Sequence, residues 1–170
     1  MQLIEFRQEL EKATQGFPGK HPGNIKSLFS KYPHSISLQS NPNIIDTTSD
    51  CFTYAFSNLI PQKIFDKIKR FVTDDSNVDI EDYFQKLLTS DFCSVHERKK
   101  DGDKIIIYFD NDKVKHFGRI KEDKIISKWG EGLIWKHAVF EVPLSYGNIV
   151  KYSDGNINLN ILKEIFQIHS

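Results

Sequence analysis

The hydrophobic periodicity of the chain changes near residue 91, and this change limits the possible folds more than any other feature. Before it, apolar residues recur at helical spacing, as do Leu3, Phe6 and Leu10. After it, the segments "DKIIIYFD", "KVKHFGRI" and "KIISKWG" are alternating or continuously apolar, which is typical of β-strands. Helices followed by a run of strands that short turns connect indicate an α+β domain. We therefore predict an α+β fold with an antiparallel sheet.

The helical part contains several segments separated by Gly, Pro and polar residues. We predict helices over 3–14 and 25–31, a helix that begins at Cys51, one after Pro61 and one capped by Asp79. "GFPGKHPGN" between the first two is rich in Gly and Pro and is interpreted as a connector. "DFCSVHE", "KHAVFEVP" and "NIVKYS" are further candidate strands, and the tail "NLNILKEIFQI" returns to helical spacing.

The length of 170 residues fits one domain. We predict a helical and extended N-terminal region over 1–48, a core over 49–150 and a C-terminal helix over 156–168. The chain has 23 basic and 23 acidic residues, so its net charge predicts neither a nucleic acid nor a membrane as partner. The first residues have no signal-peptide pattern, and two cysteines make no disulfide framework. This composition favours a cytoplasmic protein, or one delivered by a dedicated secretion machine.

Cys51 is the first candidate for chemistry. It follows Ser49 and Asp50, which are residue types that cap helices, and precedes Phe52 and Phe56 at helical spacing. A thiol in the first turn of a helix lies in an electropositive place, which predicts a pKa below the free value of about 8.5. The alternative is a packing role, because free cysteines are often buried. Cys93 lies between apolar neighbours and is interpreted as a core residue.

His116 is the best candidate for a base that activates this thiol. It begins a predicted strand, two residues before Gly118, and an imidazole on a strand can face a helix N-terminus that carries a cysteine. The other histidines outside "GLIWKHAVF" are predicted to lie at the surface: His21, His34, His96 and His169.

The segment "DNDKVKH" is a candidate metal site. Asp110, Asp112 and His116 resemble the start of a calcium loop, but an EF-hand needs Gly at its sixth position and Glu at its twelfth. Lys115 and Lys121 occupy those positions here. We therefore predict no metal and no cofactor.

The segments "DCFTYAF", "IIIYFDND", "HFGRI", "IISKWG", "KHAVFEVP" and "SYG" together resemble the papain-like cysteine peptidase superfamily, on its NlpC/P60 and CHAP side. Within it, the chain is similar to an uncharacterised bacterial family with a Cys helix, a His strand and an "SK-G" motif. The resemblance covers roughly 50–147 and implies a papain-like fold in which the Cys51 helix packs on the sheet that carries His116.

The resemblance also implies roles for individual residues. Cys51 is the nucleophile, His116 is the base, and Ser127 stands where a residue on the next strand orients the imidazole. His137 is the alternative for this third role, or a structural histidine that holds a loop. Three further interpretations come from the residues themselves. Lys128 is a candidate for binding an anionic part of the substrate, and Trp129, Gly130 and Trp135 either line the cleft or belong to the core. The Cys51 amide is a candidate oxyanion donor, with Asn41 or Asn43, ten and eight residues before it, as candidates for the second.

The leading prediction is a cysteine hydrolase that cleaves a peptide, isopeptide or amide bond through a thioester, as an intracellular protease or a bacterial toxin or effector. Its partner would be a protein or peptide substrate. A non-catalytic binding or immunity module on the same fold is the second possibility. The third is an acyltransferase or deamidase on that fold.

Overall fold

The computed structural model describes residues 2–74, 79–130 and 132–169. The helices are α1 (Gln2–Ala13), α2 (His21–Leu28), α3 (Cys51–Phe56), α4 (Gln62–Asp74), α5 (Ile80–Thr89) and α6 (Leu159–Ile165). The strands are β1 (Ser37–Leu38), β2 (Ile105–Asp110), β3 (Lys113–Lys121), β4 (Lys124–Lys128), β5 (Ile134–His137) and β6 (Ile149–Ser153). The fold is therefore of the α+β class, as the change in periodicity predicts.

The strands form one six-stranded antiparallel sheet in the order β1-β5-β4-β3-β2-β6. A two-residue turn, Glu122 and Asp123, joins β3 to β4, and Glu122 has a φ of 58°. Two-residue hairpin turns need this left-handed backbone because it matches the twist of the strands. β2 lies inside the sheet with Ile105, Ile106, Ile107 and Tyr108 buried, which explains its continuous apolar sequence.

One face of the sheet is covered by α3, α4, α5 and α6. Ile105, Ile107, Phe109 and Phe117 project from the strands on this side and pack with apolar residues of those helices. Its buried aromatic rings are all phenylalanine: Phe52, Phe56, Phe84, Phe92, Phe109, Phe117 and Phe166. We call this side of the sheet the phenylalanine face.

The opposite face is covered by α1 and α2. Ile106, Tyr108 and Ile125 project from the strands there, and Phe6 and Leu10 of α1 pack on the same apolar cluster. This side also contains buried polar side chains from neighbouring strands, namely His116, Ser127 and His137. We call it the histidine face.

The ladder between β3 and β4 is short. Its pairs run from Lys121 with Lys124 to Arg119 with Ile126 and go no further toward Phe117. α3 packs against both strands, and Arg119 Nε donates to the Ala55 carbonyl at 3.2 Å, which holds the C-terminal end of α3 on β3. The N-terminal end of α3 consequently lies toward the part of β3 that β4 does not pair.

Several boundaries differ from the predictions. α2 begins at His21, inside the segment interpreted as a connector, and Leu3 is half exposed although a buried position was predicted. "DFCSVHE" contributes only isolated bridges, from Cys93 to Ile157 and from His96 to Tyr152, and forms no strand. The strand near "KHAVFEVP" is instead "IWKH", so only its last two residues belong to the predicted segment. In the described ranges, no helix combines the length and apolarity that crossing a membrane would need.

Candidate active site

Cys51 is the first residue of α3, as predicted. Asp50 is the N-cap: its carboxylate accepts from the Thr53 backbone N–H at 2.7 Å, and Thr53 Oγ1 accepts from the Asp50 N–H at 2.9 Å. This reciprocal capping box fixes the start of the helix. Ser49, the other predicted cap, instead donates to the Asp46 carboxylate at 2.7 Å.

The thiol of Cys51 is buried and neutral. Its side chain is only 8% exposed, and burial raises the pKa of Cys51, to which the neighbouring Asp50 carboxylate adds. The backbone amides of Phe117, Phe52 and Cys51 itself act in the opposite direction and are outweighed. The prediction of a lowered pKa is therefore wrong for this structure, because removal of the thiolate from water outweighs the favourable helix end.

His116 is also buried and neutral. It pairs with Tyr108 across β2 and β3, and its ring stacks on that of Tyr146 with the centroids 4.0 Å apart. Burial lowers the pKa of His116 well below its usual value, and a charge on His137 would lower it further. Nε2 of His116 is buried without a hydrogen-bond partner. In the tautomer that carries its hydrogen on Nδ1, this Nε2 has a free lone pair and can accept a proton.

The side chains of Cys51 and His116 lie on different faces of the sheet. Side chains alternate along a strand, so His116 lies on the histidine face and its neighbour Phe117 on the phenylalanine face, where Cys51 packs. The prediction that the imidazole faces the helix N-terminus directly is therefore wrong. The link between the two residues is the Phe117 amide, which acts on the thiol from the part of β3 that β4 no longer pairs.

Ser127 and His137 bond to each other rather than to His116. Ser127 Oγ lies 2.8 Å from His137 Nε2, and Trp129 Nε1 donates to Ser127 Oγ at 3.0 Å. His137 Nδ1 donates to the Ala138 carbonyl at 2.8 Å, so Nε2 is the acceptor and the serine hydroxyl donates to it. Neither residue makes a hydrogen bond to His116 in the part of the chain that the structure describes. The predicted third catalytic role is consequently not supported by contacts for Ser127 or His137.

Lys128 and Asn43 are not placed to act on a substrate either. Lys128 is buried, and its ammonium group donates to the Asp46 carbonyl and to Ser49 Oγ, the latter at 2.8 Å. It therefore anchors the loop before α3 instead of offering its charge to an anion. Asn43 is exposed, and its backbone N–H donates to the Asn41 side chain at 2.9 Å, within a local turn.

Tyr146 is the residue that the sequence-based interpretation missed. The segment "SYG" predicts no role for it, since a single aromatic residue in a turn has no periodicity to interpret. Its ring stacks on His116 and meets Trp129 edge-on at 6.4 Å. Burial raises the pKa of the Tyr146 hydroxyl, and the charge of a Cys51 thiolate would raise it further. The Gly130 backbone bonds to this hydroxyl and acts on its pKa in the opposite direction.

The described residues contain three buried side-chain N or O atoms without a hydrogen-bond partner. They are Oδ2 of Asp50, Nε2 of His116 and Nε1 of Trp135. Such atoms are rare because each costs free energy, and they often mark a site of function. Two of the three belong to the residue before Cys51 and to the candidate base.

A cavity with a volume of about 740 Å³ lies elsewhere, between α2 and β1. Trp135 lines it together with Ile25, Phe29 and Leu38, and neither Cys51 nor His116 does.

His21, predicted at the surface, is instead buried at the start of α2, where Nε2 donates to the Gly16 carbonyl at 3.3 Å. Within the described ranges, no three His, Cys, Asp or Glu side chains gather in a way that could hold a metal ion.

Comparison with known proteins places residues 46–154 in a family described as "Domain of unknown function (DUF7689)". The match covers more than half of the chain, and the chain belongs to this family. The matched span runs from the loop before α3 to the end of β6 and so contains Cys51, His116 and Tyr146. Neither the curated proteins nor the solved structures that were compared gave a match.

Proposed function

We propose that the protein is a cysteine hydrolase that cleaves a peptide, isopeptide or amide bond in a protein or peptide substrate. Cys51 is the nucleophile and His116 is the general base. The observation that carries the proposal is that the Cys51 thiol, on a helix N-terminus, lies beside the Phe117 amide, and that the preceding residue on β3 is a neutral imidazole whose Nε2 has no partner. The proposal retains the papain-like resemblance and a cytoplasmic site of action, in the producing cell or in one that receives the protein.

The chemistry needs no group from outside the chain except water. His116 Nε2 takes the proton of the Cys51 thiol while sulfur attacks the carbonyl carbon, and the oxyanion is bound by the Cys51 backbone N–H. The imidazolium gives its proton to the leaving nitrogen and the C–N bond breaks. The amine departs, and the acyl group remains on Cys51 as a thioester. Water, losing a proton to His116, attacks the thioester; the carboxylic acid leaves, and the thiol is restored.

The burial of the site determines when this chemistry can occur. Proton transfer from a neutral thiol to a neutral imidazole creates two charges, which water-poor surroundings disfavour. Peptide substrate reaches Cys51 only after the side chains around the thiol have moved, since it is 8% exposed. The resting protein is therefore expected to be a weak nucleophile that substrate binding activates.

Acylation by a small activated ester tests the proposal without knowledge of the substrate. With p-nitrophenyl acetate, mass spectrometry is expected to find acetyl on Cys51, with a burst of nitrophenolate equal to the protein. Cys51→Ala should remove the burst and His116→Ala should slow it by about 100-fold, the usual contribution of a general base. Cys93→Ala is the matched control, because Cys93 is the second buried cysteine and its pKa is raised to about 11 by burial.

The outcome also separates hydrolysis from transfer. Addition of glycinamide produces N-acetylglycinamide if an amine replaces water in the second step, which identifies an acyltransferase. Acetylation that is absent, or equal on Cys51 and Cys93, contradicts the proposed chemistry.

A non-catalytic binding module is the second candidate, and the burial and raised pKa of the Cys51 thiol favour it. In that case Cys51 is a packing residue of the phenylalanine face. Cys51→Ala would then lower the free energy of unfolding, and neither the wild type nor the variant would be acylated.

A further inference from the structure

The His116 ring is held by aromatic contacts. On one side Tyr146 stacks on it, with centroids 4.0 Å apart and planes inclined by 18°. Tyr108 contacts it at 5.6 Å and 52° from the neighbouring strand. Its Nε2 meanwhile has no hydrogen-bond partner, and Ser127 and His137 are bonded to each other. The orientation of the ring is therefore fixed by stacking.

The turn that carries Tyr146 is anchored to α1 by charged side chains. Arg7 is buried and donates to the carbonyls of Val142 at 3.0 Å and Gly147 at 2.6 Å. Glu11 accepts from the backbone N–H and from the hydroxyl of Ser145, both at 2.9 Å. These bonds surround Tyr146 in sequence and fix the height of its ring over His116.

The same turn is pressed against the end of β2. Gly147 has a φ of 94°, and a Cβ atom there would lie 2.0 Å from the Phe109 carbonyl oxygen. Only glycine fits such a contact with a positive φ. With α1 on one side and β2 on the other, the Tyr146 ring has little freedom to leave His116.

We propose that Tyr146 is the positioning residue of the site: its ring orients the His116 imidazole and stabilises the imidazolium that forms when His116 takes the Cys51 proton. The inference rests on the proposed function. A hydrogen-bonding residue on the next strand would orient the base through its other ring nitrogen. Here a π face performs this task, and a cation over a tyrosine ring is attracted by the ring quadrupole.

A double-mutant cycle with p-nitrophenyl acetate tests the inference, since it measures how far the effect of His116 depends on Tyr146. The rate of Cys51 acetylation is compared between wild type and His116→Ala, and again in a Tyr146→Leu background. In the Tyr146→Leu background, we expect the fold-decrease in acetylation rate caused by His116→Ala to be about tenfold smaller than in wild type. This is the effect of a desolvated cation–π contact. Tyr146→Phe keeps the ring and is expected to restore most of the dependence on His116.

A matched control is Tyr32→Leu. Tyr32 belongs to the same apolar cluster on the histidine face but its ring contacts are with Phe6 and Lys31, so the dependence on His116 should be unchanged. If Tyr146→Leu does not fold, Glu11→Ala is the second variant, because it loosens the turn and keeps the ring. We expect it to reduce the dependence on His116 by about threefold, a fraction of the cation–π effect.

The possible results distinguish this inference from the proposed function. An equal effect of His116→Ala with and without the Tyr146 ring overturns the positioning role and leaves the proposed function standing. Behaviour of Tyr146→Phe like that of Tyr146→Leu also overturns it, since the hydroxyl would then be the active group. No effect of His116→Ala in the wild-type background overturns both.

Discussion

The two faces of the sheet are built from alternate residues of the same strands, yet they differ in chemistry. On the phenylalanine face, the buried rings contact one another and offer no hydrogen-bonding groups. On the histidine face, buried polar side chains such as His116, Ser127 and His137 lie among Tyr and Trp rings. Burial of apolar area stabilises the first face. The histidine face depends on buried polar groups that each need a hydrogen-bond partner. On that face, Nε2 of His116 has no such partner.

The difference shows how one small sheet can combine stability with a reactive group. The apolar core of the phenylalanine face packs against α3 and supports it. Because such a core disfavours charge, it also keeps the Cys51 thiol neutral. The face with polar groups can hold an imidazole in a defined orientation. The candidate residues come from both faces, Cys51 from the phenylalanine face and His116 from the histidine face, near the part of β3 that β4 does not pair.

The largest expected effect concerns the phenylalanine face. Phe52 is fully buried, and its ring contacts those of Phe56, Phe84 and Phe117 among others. We expect Phe52→Ala to lower the free energy of unfolding by about 4 kcal/mol, through lost burial and the cavity left behind. Urea denaturation measures this change. Phe29→Ala is the control, since Phe29 is 56% exposed, and a loss of similar size there would contradict the comparison.

The histidine face should instead make stability depend on pH. Burial lowers the pKa of His137 from 6.5 to about 4, against the favourable effects of the Ala138 carbonyl and of Glu141; Lys124 adds to the lowering. The unfolded chain therefore binds a proton more readily than the folded one, so stability is complete above pH 6.5 and falls as the pH approaches 4. For His137 the loss is about 3 kcal/mol.

Urea denaturation at several pH values between 7.5 and 4.5 measures this slope. His137→Gln should reduce it, whereas His169→Gln, at an exposed position, should leave it unchanged. An identical slope in His137→Gln would mean that the histidine face does not govern the acid sensitivity.

The polar network of that face is expected to contribute less. Ser127→Ala leaves Trp129 Nε1 and His137 Nε2 without a partner in a buried place. We expect a loss of about 2 kcal/mol in the free energy of unfolding, which is the cost of stranding buried polar groups. Ser37→Ala in β1 is the matched control because Ser37 is exposed. Equal effects of the two changes would show that the network is not important for stability.

The smallest expected effect is that of Lys128→Met. Lys128 is buried and bonded to Ser49 and to Asp46, both of which water can solvate once the ammonium group is gone. Replacement of a buried charge by an apolar side chain of similar length is often neutral, so we expect a change of about 1 kcal/mol or less in either direction. A loss several times larger in urea denaturation would show that the loop before α3 depends on this contact.

The sequence predicted what local patterns determine. The start of α3 follows from the capping residue Asp50, and the β3–β4 hairpin follows from alternation around a polar turn. The short strand β1 was missed because its two residues take their place only through pairing with β5. Local signals of one or two residues are too short to show a period.

The sequence did not show on which face of the sheet Cys51 and His116 each lie. β2 is apolar on both faces, so its sequence does not show on which one α3 packs. A register shift between Tyr108 and Phe109 further disturbs the alternation next to His116. The position of Tyr146 over His116 depends on Arg7, whose partner Val142 lies 135 residues away in the chain. Contacts over such separations leave no pattern in one sequence.

The long separation between Arg7 and its partners also affects how the protein is made. At a synthesis rate of about 5–20 residues per second, α1 leaves the ribosome roughly 7–27 s before the turn to which it will bind. For most of that interval Phe6 and Leu10 lack their later partners on β2, β4 and β5, which are translated only shortly before the turn. The first helix to be translated is thus among the last to dock, and a growing chain exposes its apolar stripe to chaperones and to other nascent chains until the final third has emerged.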